Sequence, residues 1–151
     1  MAGLRLCCVV SIFFCAVSLG QDVSDDQAQL YAWLNTLSNR WNAHDIEGYM
    51  AHFWHSENFI YIMDGEEITG WGNLLAAYRA GYSDASAMGT IDVQRTQIEM
   101  ITPDVALMID WWTARFPAHQ SRPQHGTTSF TMRKFNDGWK AVAFHTTLME
   151  L

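Results

Sequence analysis

Thiols are scarce in this chain and confined to one place: Cys7, Cys8 and Cys15 are its only cysteines and all lie in the first twenty residues. Those twenty residues have a short start bearing Arg5, an apolar run over 6–17, and small residues Ser18 and Gly20 ahead of Gln21. That pattern predicts a secretory signal over 1–20, leaving 21–151 as a single secreted or periplasmic domain. The mature chain would then have no disulfide, cysteine nucleophile or cysteine metal ligand. The apolar run is shorter than the roughly 20 residues that cross a bilayer, so no stable membrane anchor is expected after cleavage. An Asn-x-Ser/Thr acceptor is also absent, which suits a bacterial envelope protein.

Basic charge is scarce as well, with 9 Lys and Arg against 16 Asp and Glu. The cations are scattered singly except for Arg133-Lys134, whereas a phosphate-binding surface needs them clustered, so nucleic acid is excluded as a partner. The sequence contains no Gly-x-Ser-x-Gly elbow, no His-Glu-x-x-His pair and no glycine-rich phosphate loop, which removes the commonest serine-hydrolase, zinc and nucleotide signatures. His52 and His55 would share a helical face only if their helix ran that far, and no metal or other cofactor is expected.

What is present is strong periodicity. Ser24-Asp25-Asp26-Gln27 forms a capping box, and Leu30, Leu34, Leu37 and Trp41 follow at helical spacing, predicting a helix to about Asn42. Asp45 caps a second, shorter helix with Ile46, Tyr49, Met50 and Phe53 on one face. A strand over 59–63 ends in the turn residues Asp64-Gly65, and Gly70 precedes a third helix carrying Trp71, Leu74, Leu75 and Tyr78. From Gly89 the period changes to two, predicting strands over 90–101, 105–116, 127–135 and 139–148. Strands this long do not suit a flat sheet under short helices. The predicted class is therefore α+β, ordered α-α-β-α-β-β-β-β, with a curved antiparallel sheet wrapped as a cone around three helices from the N-terminal half.

Several motifs occur together: Trp41-Asn42-Ala43-His44-Asp45 between the first helices, Asp64-Gly65 and Gly70 before the third, Pro103-Asp104-Val105-Ala106 opening a strand, and Asp137-Gly138-Trp139-Lys140 leading to His145-Thr146-Thr147. In order and spacing, over nearly all of 21–151, the chain resembles the SnoaL-like or nuclear-transport-factor-2-like superfamily, which includes ketosteroid isomerase and DUF4440-type domains. The resemblance implies a conical cavity closed by helices and, often, homodimerisation through the outer sheet face. It implies no single reaction, because members include isomerases, cyclases, dehydratases, hydrolases, carriers and non-catalytic modules.

Three residues are candidate catalytic groups. If the last strand alternates regularly, Trp139, Ala141, Ala143, His145 and Thr147 share a face, and the two alanines leave space beside the His145 imidazole. Asp110 lies mid-strand among apolar neighbours. It either pairs with Arg95 or Arg133, or is buried with a raised pKa and serves as a base or a neutral donor, as in ketosteroid isomerase. Tyr61 is a candidate donor to developing negative charge. Trp41, Trp54 and Trp112, with His145, are candidate ligand-binding residues, and Trp111 must face opposite to Trp112. The expected function is binding of a small, largely apolar molecule, with cofactor-free acid/base chemistry if the protein is an enzyme. The alternative is a non-catalytic module whose cavity is filled by its own aromatics.

Overall fold

The computed structural model describes residues 25–117 and 122–149. The expected signal segment and Ser24 of the expected capping box lie outside the described residues. Helix α1 (Asp25–Asn42) buries Leu30, Trp33, Leu34, Leu37 and Trp41, the stripe that 3.6-residue periodicity aligns. Helix α2 (Ile46–Met50) starts where the Asp45 carboxylate accepts from the Gly48 amide. Strands β1 (Ile60–Met63) and β2 (Glu66–Thr69) form a hairpin, and α3 (Trp71–Gly81) and the single-turn α4 (Ala85–Met88) follow. The meander is β3 (Thr90–Thr102), β4 (Val105–Arg115), β5 (Gln124–Phe135) and β6 (Gly138–Met149).

The α+β cone with three principal helices and a curved sheet is as predicted, with two added elements and one correction to the sheet. Strand β2 escapes periodicity because Glu66-Glu67-Ile68-Thr69 is mostly exposed and owes its form to pairing across the turn, where Asp64 and Gly65 both take positive φ. Helix α4 is too short to leave a periodic trace. The sheet, in order β2-β1-β6-β5-β4-β3, is mixed and not antiparallel throughout, because β1 lies parallel to β6, from Ile60 opposite Ala143 to Met63 opposite Thr146.

Curvature comes from irregularities in the ladder. The β3 and β4 register shifts between Val93 and Arg95 and again between Met100 and Thr102. On β6, Thr131 pairs with Ala143 but Met132 with Ala141, leaving Val142 as an extra residue. Each bulge increases the local twist and bends its strand.

The Trp41 to Asp45 motif fastens the helical layer to the edge of this sheet. Asn42 donates its side-chain amide to the Ile91 carbonyl at 2.9 Å and accepts from the Ile91 N–H at 2.7 Å. His44 sits at positive φ with its Nε2 3.1 Å from the Gly89 carbonyl. Its ring is therefore engaged in a tertiary link.

Candidate functional site

On β4, alternation sends Ala106, Met108, Asp110, Trp112 and Ala114 inward, and all five are buried. Between these residues, the facing strands and the helices lies a cavity of about 130 Å³, partly open to solvent. Its wall is largely aromatic, with Trp41 from α1, Tyr49 from α2, Tyr61 from β1, Tyr78 from α3, Trp112 from β4 and Phe144 from β6.

Among the described residues Asp110 is the one carboxyl in the wall. It is only 3% exposed, and its Oδ1 has no hydrogen-bond partner. Removal from water pushes its pKa up to about 7, while the backbone and hydroxyl of Thr128 directly opposite draw it partly back. Neither arginine considered as a partner faces it. The Arg95 guanidinium lies over the Trp111 ring, 4.3 Å from its centroid, and that of Arg133 lies over Phe135 at 5.2 Å. Trp111 thus belongs to the outer face and Trp112 to the cavity.

The phenols that share the cavity wall with Asp110 are neutral donors. Burial pushes Tyr61 up to about 12 and raises Tyr82, while Tyr49 and Tyr78 are driven far above the usual range by the same cause. Tyr61 donates its hydroxyl to the Met63 sulfur at 3.0 Å, a weak acceptor that a ligand oxygen would outcompete. A second polar row crosses the wall: Trp112 Nε1 donates to Thr128 Oγ1 at 2.8 Å, and that hydroxyl lies 3.1 Å from Thr146 Oγ1. Trp41 Nε1 is buried and has no partner.

Of the residues singled out from sequence, Trp41, Tyr61, Asp110 and Trp112 meet around this cavity, and Trp54 and His145 do not. Trp54 stacks on Phe135, ring centroids 6.3 Å apart, and its backbone N–H donates to the Ala141 carbonyl. His145 is exposed on the outer face, opposite Ser129 and Ile62. The reason is the bulge at Val142. Trp139 and Ala141 point inward as alternation requires, but the extra residue reverses the phase, so Phe144 and Thr146 face the cavity while His145 and Thr147 face solvent. The placement of His145 beside the cavity is therefore corrected.

The other histidines do not converge. His52 lies beyond the end of α2, its Nδ1 2.8 Å from the Gly48 carbonyl, and burial lowers its pKa. Among the described residues no group of three His, Cys, Asp or Glu side chains is arranged to hold a metal ion.

Tyr82, Thr128 and Thr146 also line the cavity and were missed, while Tyr49 and Tyr78 were read only as core. A signal existed. A phenol in an apolar helical stripe, or a threonine at an inward strand position, brings a hydroxyl into the interior and asks for a partner or a ligand.

The family model described as AtzH-like matches residues 22–151. Among solved structures, an NTF-2 like protein of unknown function from Shewanella oneidensis MR-1 aligns with a TM-score of 0.74 at 23% identity, over 80% of this chain and 97% of that one. A DUF3225 family protein of unknown function from Pectobacterium atrosepticum SCRI1043 aligns at 0.68 and 22% identity, over 84% and 93%. A ketosteroid isomerase-like protein from Erwinia carotovora atroseptica SCRI1043 aligns at 0.66 and 16%, over 85% and 99%. None of the curated proteins matches the chain. At these identities the structures establish a shared fold, and the superfamily named from the sequence motifs is the right one.

Proposed function

Since the chain belongs to the AtzH-like family, within a fold that hosts many unrelated chemistries, we propose that it binds a small organic molecule in the aromatic cavity. The molecule's polar end meets Asp110. The observation that carries this reading is a nearly fully buried carboxyl, one oxygen unpartnered, in the wall of a partly open apolar cavity. An uncompensated polar group in such a place costs stability, and a ligand supplying the missing partner offsets that cost.

A carboxyl with a pKa of about 7 exists in both protonation states near neutrality, as a proton-transfer group requires. In the catalytic form of the reading, Asp110 takes a proton from the bound molecule and returns it. Tyr61 shifts its hydroxyl from the Met63 sulfur to an oxygen that gains negative charge. Binding without turnover is the alternative, and the same residues support it. The reading includes export of the mature chain. It also includes pairing of two copies through the outer face, where Leu107, Ile109 and Trp111 lie half-buried.

The test begins with a thermal-shift screen of residues 21–151 against small organic compounds, since a ligand of the native state raises its Tm. Hits are then measured against Asp110→Asn and Tyr61→Phe. Loss of the shift in Asp110→Asn is expected, and hits that bind both variants unchanged would sink the site assignment. Proton exchange into a hit in deuterated buffer, seen by NMR and lost in Asp110→Asn, separates catalyst from binder.

A further inference from the structure

The charge inventory of the cavity goes beyond the presence of a site. Among the described residues no Lys, Arg or His lines it. Its single ionisable acid is Asp110, and the only other titratable groups in the wall are the phenols Tyr49, Tyr61, Tyr78 and Tyr82 from α2, β1, α3 and just beyond. From α1, β3, β5 and β6 the lining side chains are uncharged. Aromatic rings present a negative face and attract cations. An ionised Asp110 adds a full negative charge with one oxygen unpaired. An anionic ligand would meet like charge and find no cation to balance it.

We propose that the ligand of this cavity is a small organic cation, an amine bound as its ammonium ion with its N–H groups on Asp110 and its alkyl groups against the tyrosine and tryptophan rings. The proposal rests on the reading that the cavity binds a small molecule at Asp110, and it names the chemical class. A hard metal cation does not fit. Calcium seeks six to eight oxygens and magnesium a full octahedron, whereas this wall is mostly carbon. Size narrows the class further. A dry protein cavity of about 150 Å³ accommodates benzene, and this one is about 130 Å³ and partly open, so the part of the occupant seated inside has roughly six non-hydrogen atoms.

The protons balance by either route. An ammonium ion meets the Asp110 carboxylate directly, or a free amine meets the neutral carboxyl and takes its proton, and both end as the same ion pair. Because burial holds Asp110 near 7 in the empty protein, ammonium affinity should rise about tenfold per pH unit below 7 and level off above it. A neutral ligand that accepts the carboxyl proton in a hydrogen bond has the opposite dependence, weakening as pH rises through 7.

Three probes of matched size separate the possibilities: piperidine as the cation, tetrahydropyran as its neutral counterpart and cyclopropanecarboxylate as an anion. Each is titrated calorimetrically into residues 21–151 at pH 5.5, 7 and 8.5, and into Asp110→Asn. Piperidine alone should bind, more tightly at higher pH, and lose about 100-fold or more in the variant. Tetrahydropyran or the carboxylate binding as well as piperidine, or affinity falling with pH, would overturn the cation class while leaving a binding cavity in place. Binding of none of the three overturns both. The wild-type pH profile decides the sign even if Asp110→Asn fails to fold.

Discussion

Trp112 donates its indole N–H to Thr128 Oγ1 across 2.8 Å, and Thr128 sits directly opposite Asp110 on the neighbouring strand. One threonine thus holds a wall of the cavity and restrains the pKa of its only acid. Thr128→Val keeps the shape and the backbone contact to Asp110 but removes the hydroxyl's part in both effects. Stability should fall by about 1–3 kcal/mol, because a buried indole donor loses its acceptor. The Asp110 midpoint, followed by carbon NMR of the carboxyl, should rise. An unmoved midpoint would show that the Thr128 hydroxyl does not restrain the acid.

Asp110 also sets a pH dependence of stability. Its folded pKa of about 7 lies above the ordinary 3.8, so between those values the folded protein holds a proton that the unfolded chain has released. The Asp110 contribution to stability is therefore fully present below about pH 4 and is lost as pH rises through 7, by up to on the order of 4 kcal/mol. Asp26 and Glu47, held low by Lys134 and Arg79, work in the opposite sense at more acid pH. His52, lowered by burial, also gains stability as pH rises. Subtracting the urea-unfolding profile of Asp110→Asn removes all three contributions. The difference should favour the variant at pH 8 and vanish or reverse near pH 4.

Gly126 lies against the Trp112 indole so closely that an added Cβ would run into its six-membered ring. Gly126→Ala should displace the indole, weaken its bond to Thr128 and cost about 1–3 kcal/mol through overpacking. The indole N–H resonance in a proton–nitrogen spectrum reads the displacement directly. An unchanged resonance would mean the wall yields without moving Trp112.

His145→Ala tests the phase reversal on β6. Because the ring is exposed on the outer face, stability should stay within about 0.5 kcal/mol of wild type, and any cavity ligand should bind with unchanged affinity. A large loss of binding would return the imidazole to the site.

Most of the architecture was legible in the sequence because it rests on local patterns. The α1 stripe, the Asp45 cap, the Asp64-Gly65 turn and the two-residue period of β3 to β6 are all set by near neighbours, and burial of the stripes forces the layers together. Strand β2 was not legible, since its form derives from a partner strand and its own side chains are mostly polar. Trp41, Tyr61, Asp110 and Trp112 were legible as candidates because each is a large aromatic or an acid in an apolar setting.

The sequence by itself determined that an α+β cone would form and that Asp110 would be an acid within apolar sheet. Tertiary structure alone decided which groups face the cavity. A single extra residue at Val142 carries His145 outward, and cross-strand pairing sets Thr128, with no counter-charge, against Asp110. Alternation along a strand is a local property, but its phase depends on how the ladder pairs with its neighbours, and one bulge exchanges the two faces.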